Sequence, residues 1–284
     1  MKSRTVAITG AGGYVGRVIT DFLSTKGYNI CRFSRQGTNS VSFQLGRKND
    51  YSALDNVGTL IHCAYDFAPR IWEEIERVNI QGSIELLNEA RNRGVKRIIL
   101  ISSISAYEGA RSYYGRAKFT TEKYFKEAGA IIVRPGMVYG KGAGGVVDAM
   151  NTFVSQHTLV PLIGNGNQIM HFCHQDDLAQ LIERLLYDPA PSQGPFTAAS
   201  REPSTLKEFM RLLAQRQQKK VIFIPVPSLL LRMAFGLADR LGIKTRRSGD
   251  SIININTPNP HPDFHETERL GVFFRALTLA AIDA

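Results

Sequence analysis

The 284-residue chain has few cysteines and no long apolar run, and these two absences exclude several classes of protein. Its three cysteines, Cys31, Cys63 and Cys173, stand far apart and show neither zinc-finger nor redox-pair spacing. We therefore expect reduced thiols and no disulfide framework, as in a cytoplasmic protein. No window reaches the ~18 uninterrupted apolar residues of a membrane span, so we expect no integral membrane segment. The N-terminus also lacks the apolar stretch of a signal peptide, which predicts a soluble, unprocessed protein.

Acidic residues are also in short supply. The chain has 25 of them against 35 lysines and arginines, for a net charge of +10. This charge favours anionic partners such as phosphorylated ligands, although a solvated basic surface accounts for it equally well. No aromatic residues interleave the basic pairs Lys219–Lys220 and Arg246–Arg247, so we do not expect nucleic acid as a partner.

Glycine, in contrast, is concentrated in TGAGGYVG, residues 9–16, directly after the apolar run Val6–Ile8. Beyond this segment apolar residues recur at helical spacing as far as Gly27. A strand, a glycine turn and a helix in this order let the backbone turn tightly and bring a pyrophosphate to the helix N-terminus. The pattern predicts a dinucleotide site formed by Gly10, Gly13, Tyr14, Val15 and Gly16.

The alternation of strands and helices continues to Tyr139, and it predicts an α/β fold with a Rossmann-type, doubly wound parallel sheet. Further strands are predicted at 28–33, 59–63, 97–102 and 131–133, and helices at 79–93 and 114–127. After Tyr139 the pattern becomes less regular. We therefore assign residues 1–139 to the dinucleotide-binding domain and residues 140–284 mainly to a smaller, mixed C-terminal substrate lobe. A later strand and helix near 170–188 could rejoin the first domain.

The C-terminal lobe contains one strongly amphipathic segment, from Leu229 to Gly242. Its apolar residues fall on one helical face and its charged residues on the other. We favour a helix that faces the core. Contact with a membrane surface, helped by Lys244, Arg246 and Arg247, is the alternative.

The end of the second predicted strand reads CRFSRQGTN, residues 31–39. In dinucleotide-binding folds this region carries an acid that bonds the adenosine ribose of NAD, or a basic residue that meets the 2′-phosphate of NADP. There is no acid between Asn29 and Asn49, whereas Arg32, Ser34 and Arg35 offer donors suited to a phosphate. We favour NADP, with NAD as the alternative. Arg35 is the stronger candidate, because Arg32 also fits a solvated surface arginine.

Tyr114 and Lys118 stand four residues apart in SYYGRAK, residues 112–118, and therefore on one face of a helix. A phenol titrates near ~10, so its use as an acid or base at neutral pH requires a nearby positive charge, which Lys118 supplies. Ser103 ends the preceding strand, where a nicotinamide is expected, and its hydroxyl can bond a substrate carbonyl or hydroxyl. We expect Ser103, Tyr114 and Lys118 to be the catalytic residues.

The chain resembles the extended short-chain dehydrogenase/reductase superfamily, in its NAD-dependent epimerase/dehydratase branch. Besides TGAGGYVG and YGRAK, the matching stretches are LIHCA (60–64), NIQGSIELLNEA (79–90), RPGMVYG (134–140) and HQDDLA (174–179). The resemblance implies exchange of a hydride between a nicotinamide and a hydroxyl or keto carbon of a small-molecule substrate. We favour a nucleotide-linked sugar as that substrate, and the resemblance also suggests a homodimer.

The resemblance assigns roles to individual residues. Tyr114 would exchange the proton, Lys118 would bind the nicotinamide ribose and poise Tyr114, and Ser103 would orient the reacting oxygen. Asn79 would support the geometry of the site. The remaining contacts with the cofactor would come from Ala64, Tyr65, Pro135 and Val138.

Departures from the family pattern narrow the chemistry. Ile104 and Ser105 follow Ser103, where dehydratases have an Asp-Glu pair and epimerases that act beside a carbonyl have a cysteine at the second position. Met170 stands where many nucleotide-sugar enzymes have an arginine near the diphosphate. Two alternatives therefore stay open: a reductase of a small non-nucleotide ketone or aldehyde, and a non-catalytic dinucleotide-binding regulator or assembly factor. The intact set of catalytic residues counts against the second.

The histidines give no stronger hypothesis. His62 lies on a predicted buried strand and fits a packed, hydrogen-bonded histidine. His171 and His174 have the spacing of metal ligands, with Asp176 and Asp177 close by. The resemblance accounts for this segment differently, as an element whose acids cap a helix, so we expect no metal site.

Overall fold

The structure is a computed structural model, which describes residues 5–37, 39–188, 192–231, 233 and 249–283. Its strands are β1 Thr5–Thr9, β2 Asn29–Ser34, β3 Val41–Ser42, β4 Thr59–His62, β5 Arg97–Ile101, β6 Ile131–Pro135, β7 Met137–Tyr139, β8 Leu159–Ile163, β9 Ile169–Met170, β10 Phe172–His174, β11 Phe196–Ala198, β12 Ser204–Thr205 and β13 Ile222–Val226. Its helices are α1 Tyr14–Thr25, α2 Trp72–Ile75, α3 Gly82–Asn92, α4 Tyr113–Glu127, α5 Gly145–Gln156, α6 Gln175–Tyr187, α7 Leu206–Arg216, α8 Gly249–Asn256, α9 His265–Arg269 and α10 Leu279–Asp283.

Seven strands form the central sheet, in the order β11-β6-β5-β4-β1-β2-β3. Every neighbouring pair in it is parallel, which confirms the predicted Rossmann-type α/β fold. The strand order runs outward in both directions from β1, with β2 on one side and β4 on the other. In open parallel sheets ligands bind at the carboxyl ends of the strands where the order reverses, so the crevice between β1 and β4 is the expected binding site.

Helices cover both faces of the sheet, because its strands are apolar on both sides. On one face α3 and α4 supply Leu86, Leu87 and Phe125 to a buried cluster. On the other face α1 and α6 contribute Ile19, Leu23, Leu181 and Leu185, all fully buried. Burying one such side chain contributes about 1.5–3 kcal/mol, so these clusters fix the helices against the sheet.

Two elements differ from the bounds that the sequence predicts. The helix expected at 79–93 begins earlier, at Trp72, and contains a π-helical turn at Glu76–Gln81 before α3. Such wide turns are common at functional sites, and this one carries Asn79. Strand β6 continues past the predicted end at Val133 to Pro135, since a proline without an N–H is tolerated where the ladder ends.

The segment after Tyr139 returns to the central sheet. Helix α6 packs against α1, and the three-residue strand β11, which sequence periodicity did not predict, completes the edge beside β6. The strand near residue 170 takes a different place, because β10 pairs with β7 outside the seven-stranded sheet. The C-terminal segment is fastened to the same region by Arg275, whose guanidinium donates to both carboxylate oxygens of Asp177.

The remaining described residues form a smaller unit with its own apolar cluster. It contains the parallel pair β8–β13, the antiparallel pair β9–β12, and helices α5, α7 and α10. The predicted helix from Leu229 to Gly242 lies outside the described residues except for 229–231 and 233, and so do Lys244, Arg246 and Arg247. Among the described helices, none combines the length and apolar character needed to cross a bilayer.

Candidate active site

The glycine loop between β1 and α1 leaves no room for side chains at two of its positions. Gly10 has a φ of +67°, and a Cβ there would lie 2.8 Å from the backbone nitrogen of Ala64. A Cβ on Gly16 would lie 2.2 Å from the carbonyl oxygen of Gly10. Gly13 closes the turn, because its N–H donates to the same oxygen at 2.8 Å. The loop therefore needs glycine for its turn and for the close packing of α1.

The N-terminus of α1 is open to an anion. Gly13 precedes the helix without a side-chain cap, and the first turn carries no acid. Tyr14 directs its hydroxyl toward α6, where it donates to Gln175 Oε1 at 2.9 Å, and Val15 packs against the core. The backbone N–H groups of the first turn thus remain for a pyrophosphate. These residues fit a dinucleotide.

The three residues predicted to contact a 2′-phosphate, Arg32, Ser34 and Arg35, have different partners in the structure. Arg35 is exposed and lies 3.7 Å from Asp66 Oδ1. Arg32 instead reaches toward Asp21 on α1, with 4.0 Å between the charged atoms, as expected for a surface arginine. Ser34 is buried, and its hydroxyl donates within its own turn to the Gln36 carbonyl at 2.6 Å.

Asp66 is a residue that sequence reasoning missed. It follows β4, and its backbone N–H and C=O both bond the side chain of buried Asn79, at 2.7 and 2.9 Å. The Asn79 amide therefore fixes the segment that follows β4. The strand order is the signal that points to Asp66, because β2 and β4 flank β1 and end at the same edge of the sheet, which brings the residues after them close together.

Ser103 and Tyr114 meet at the carboxyl end of β5. Tyr114 lies in the first turn of α4, and burial raises the pKa of its phenol, while a hydrogen bond with the Ser103 side chain acts in the opposite direction. The Ser103 hydroxyl also accepts the N–H of Ser105 at 3.1 Å. At neutral pH the phenol is therefore protonated and can donate a proton to a substrate oxygen.

Lys118 lies one helical turn beyond Tyr114 and is 5% exposed. Its ammonium donates to the carbonyl of Ile101 at 2.8 Å and lies 5.3 Å from the centre of the Tyr65 ring. Burial lowers the pKa of Lys118 to about 8. The lysine is thus held at the end of β5 and keeps most of its charge at pH 7.

A cavity of about 620 Å³ opens beside Tyr114. Phe67 and Tyr65 pack on the Tyr114 ring, with ring centroids 5.7 and 5.0 Å from its own. Most other lining side chains are apolar, and the guanidinium groups that line it belong to Arg70 and Arg111. Sequence reasoning missed Phe67, although it follows Tyr65 by two residues, the spacing that places side chains on the same side of an extended segment.

Two predicted cofactor contacts at the end of β6 take different positions. The carbonyl of buried Pro135 accepts the N–H of Ile104 at 2.9 Å, which ties the segment after β5 to β6. Val138 packs against the core cluster on the α1 side of the sheet. Met137, which lies between these two residues, lines the cavity beside Tyr114.

The histidines have structural partners. His62 is bonded to Thr9 Oγ1 at 2.6 Å and to Ser83 Oγ at 2.9 Å, and burial lowers its pKa to about 3. The expectation that acids cap α6 is wrong: the cap is the His174 ring, which accepts the N–H of Asp176, because His174 is the residue whose side chain precedes the first turn. Within the described ranges no three His, Cys, Asp or Glu side chains are grouped to hold a metal ion.

A parallel sheet with a glycine-bounded helix N-terminus and a Ser, Tyr, Lys set is typical of a nicotinamide-dependent oxidoreductase. The chain belongs to the NAD dependent epimerase/dehydratase family, which it matches over residues 6–196. It is an NAD-dependent enzyme of the short-chain dehydrogenase/reductase type, with chemistry at a hydroxyl or keto carbon.

Several relatives and solved structures are similar to the chain. A ceramide reductase of Caulobacter vibrioides is 27% identical over 242 residues, which is 79% of this chain and 75% of the relative. A UDP-glucose 4-epimerase of Vibrio cholerae is 25% identical over 303 residues, covering 94% of this chain and 90% of the relative. The structure of a UDP-glucose 4-epimerase of Thermotoga maritima with UDP-glucose matches 98% of this chain and 96% of its own, with a TM-score of 0.74 at 19% identity. This last likeness supports the fold.

Proposed function

We propose that the enzyme transfers a hydride between NADP and a hydroxyl or keto carbon of a nucleotide-linked sugar. The observation that carries the reaction type is the placement of Tyr114 in the first turn of α4 and of Ser103 just past the end of β5, with buried Lys118 one turn away and bonded to the Ile101 carbonyl. The similarity to UDP-glucose 4-epimerase over nearly the whole of both chains supports the substrate. The substrate would be held in the 620 Å³ cavity, which is lined both by residues of the first domain at 1–139 and by residues of the C-terminal lobe at 140–284.

Ser103, Tyr114 and Lys118 each have a separate role in the transfer of one proton. When bound, the nicotinamide supplies or takes up the hydride. In reduction Tyr114 donates its phenolic proton to the substrate oxygen, because its raised pKa keeps it protonated at neutral pH. Ser103 holds the same oxygen and stabilises the phenolate that forms, and the charge of Lys118 favours that phenolate further.

The choice of NADP rests on Arg35. Its exposed guanidinium stands just beyond the carboxyl end of β2, where the 2′-phosphate would lie. Asp66, at 3.7 Å, supplies a carboxylate to the same group, so a phosphate would have to share or replace that partner. NAD is the alternative, in which Asp66 would bond the ribose hydroxyls.

The cysteines bear on the cellular compartment in which the enzyme works. We propose a cytoplasmic location, since Cys31, Cys63 and Cys173 are all free, as in a reducing compartment.

Family resemblance also supports a homodimer through the helices that flank the sheet. Size-exclusion chromatography with light scattering tests the dimer: a mass near twice the 31.5 kDa of the chain is expected, and a monomeric mass at micromolar concentration would contradict it.

A reductase of a small non-nucleotide ketone or aldehyde is the second candidate, and the lining of the cavity favours it. Phe67, Met137 and Ile253 give the cavity a largely apolar wall. Met170 also stands where the resemblance leads one to expect an arginine for the diphosphate. On this hypothesis an apolar carbonyl compound would be the substrate.

Thermal-shift measurements on the NADPH complex separate the two candidates. UDP, GDP, dTDP and a series of alkyl ketones are added in turn, followed by turnover assays with the matching UDP-, GDP- and dTDP-sugars. Ligand at ~100 times its Kd stabilises a protein by about 2.7 kcal/mol, which is readily measured. Stabilisation by one nucleoside diphosphate and turnover of its sugar support the first function. Stabilisation and turnover with ketones alone would overturn it in favour of the second.

A further inference from the structure

Helix α8 of the C-terminal lobe meets the N-terminus of α4, the helix that carries Tyr114. Asp250, the second residue of α8, accepts the backbone N–H of Tyr113 on Oδ1 at 2.6 Å and that of Tyr114 on Oδ2 at 3.1 Å. The first N–H groups of a helix have no partner inside it. A single carboxylate from the other lobe therefore satisfies two of them, one on the catalytic tyrosine itself.

The next N–H of α4 is tied to the same helix through Ser112. The Ser112 hydroxyl accepts the N–H of Gly115 at 3.0 Å and donates to Asn254 Oδ1 at 2.9 Å. Asn254 lies one helical turn after Asp250, so both side chains leave α8 on the same face. Three successive N–H groups at the start of α4 thus depend, directly or through Ser112, on this face of α8.

The same face also borders the space where a substrate would lie. Asp250 and Asn254 line the cavity beside Tyr114, and Asn254 lines a second cavity of about 150 Å³ that contains Ser103. A substrate seated against α8 would therefore press on the element that holds the catalytic tyrosine.

We propose that Asp250, assisted by Asn254, is a positioning residue that sets the phenol of Tyr114 against Ser103. This inference rests on the proposed function, in which Tyr114 is the proton donor. A displacement of about 1 Å in a reacting group can reduce the rate by about 100-fold, so the placement of the start of α4 bears directly on catalysis. The negative charge of Asp250 also suits a helix N-terminus.

The test compares Asp250→Asn with Asp263→Asn. Asp263 is a suitable control because its carboxylate also accepts a backbone N–H, that of His265 at 2.9 Å, at the start of α9 and outside the cavity. Asp250→Asn keeps one acceptor oxygen and places an NH₂ group against the second N–H. We expect kcat to fall at least about tenfold in Asp250→Asn, with KM and the Kd for NADPH within about twofold of wild type. Asp250→Glu, which keeps the carboxylate, should recover part of the loss.

Hydrogen–deuterium exchange of the NADPH complex gives a readout that needs no substrate. Asp250→Asn should accelerate exchange in the peptide that spans 107–118, while Asp263→Asn should leave this peptide unchanged. Wild-type exchange there, or a wild-type kcat per NADPH-binding site in Asp250→Asn, would overturn the positioning role. If the proposed function itself is wrong, the outcome differs: Tyr114→Phe then retains full turnover, both alone and combined with Asp250→Asn.

Discussion

Replacing Gly16 by alanine tests the claim that the glycine loop is shaped by steric necessity. The new Cβ would lie 2.2 Å from the carbonyl oxygen of Gly10, whereas ordinary contacts begin at 3.4 Å. Either α1 or the loop must therefore move by about 1 Å, and Ile19 and Leu23 on α1 are fully buried and resist the shift. Overpacking of this kind costs about 2–3 kcal/mol, and the displaced N–H groups would no longer face the pyrophosphate.

Gly12→Ala is the matched control within the same loop. A Cβ at Gly12 meets the nearest atom, the Cβ of Ser34, at 3.6 Å, which is an ordinary contact. Urea unfolding and NADPH titration are measured for both variants. We expect Gly16→Ala to lose about 2–3 kcal/mol of unfolding free energy and most of its affinity, and Gly12→Ala to stay within about 0.5 kcal/mol of wild type. Equal stability of the two variants would refute the steric argument.

Three further predictions concern charge and protonation. Arg35→Ala should weaken NADPH at least about tenfold while changing the Kd for NADH little, and equal losses in the two titrations would remove the 2′-phosphate assignment. The kcat/KM for reduction should fall as pH rises through about 8, because Lys118 then loses the charge that favours the phenolate. Lys118→Met should abolish this fall in the pH profile, and a fall that persists in the variant would belong to another group. His62→Leu should lower the free energy of unfolding in urea by about 1–3 kcal/mol, because the hydrogen bond with Thr9 is lost. The pH profile of kcat should stay unchanged between pH 6 and 8, since His62 is neutral there, and a changed profile would make His62 a catalytic group.

Local patterns in the sequence were enough to predict the sheet and to propose Ser103, Tyr114 and Lys118 as catalytic candidates. The apolar runs of β1, β4, β5 and β6 and the amphipathic spacing in α1 encode their elements directly. Tyr114 and Lys118 are four residues apart on one helix, so their common face follows from geometry alone. The expected contact of Tyr114 with Ser103 follows from a rule of parallel sheets.

The contacts that sequence reasoning missed join distant segments. Asp250 caps the backbone of Tyr114 across 136 positions, and neither residue carries a local sign of the other. Asp66 reaches Arg35 only because the fold places β4 and β2 on either side of β1. Strand β11 has three residues, too few for any period to show. These features depend on tertiary packing, which one sequence does not reveal.

The central claim is that Tyr114 delivers the proton in the nicotinamide-dependent step, and single-turnover kinetics of Tyr114→Phe test it most directly. The variant is saturated with NADPH, mixed with the substrate found in the turnover screen, and followed by the loss of NADPH absorbance. We predict wild-type affinity for NADPH and a rate of oxidation reduced by at least about 100-fold. A rate equal to that of wild type, with NADPH bound normally, would contradict the account.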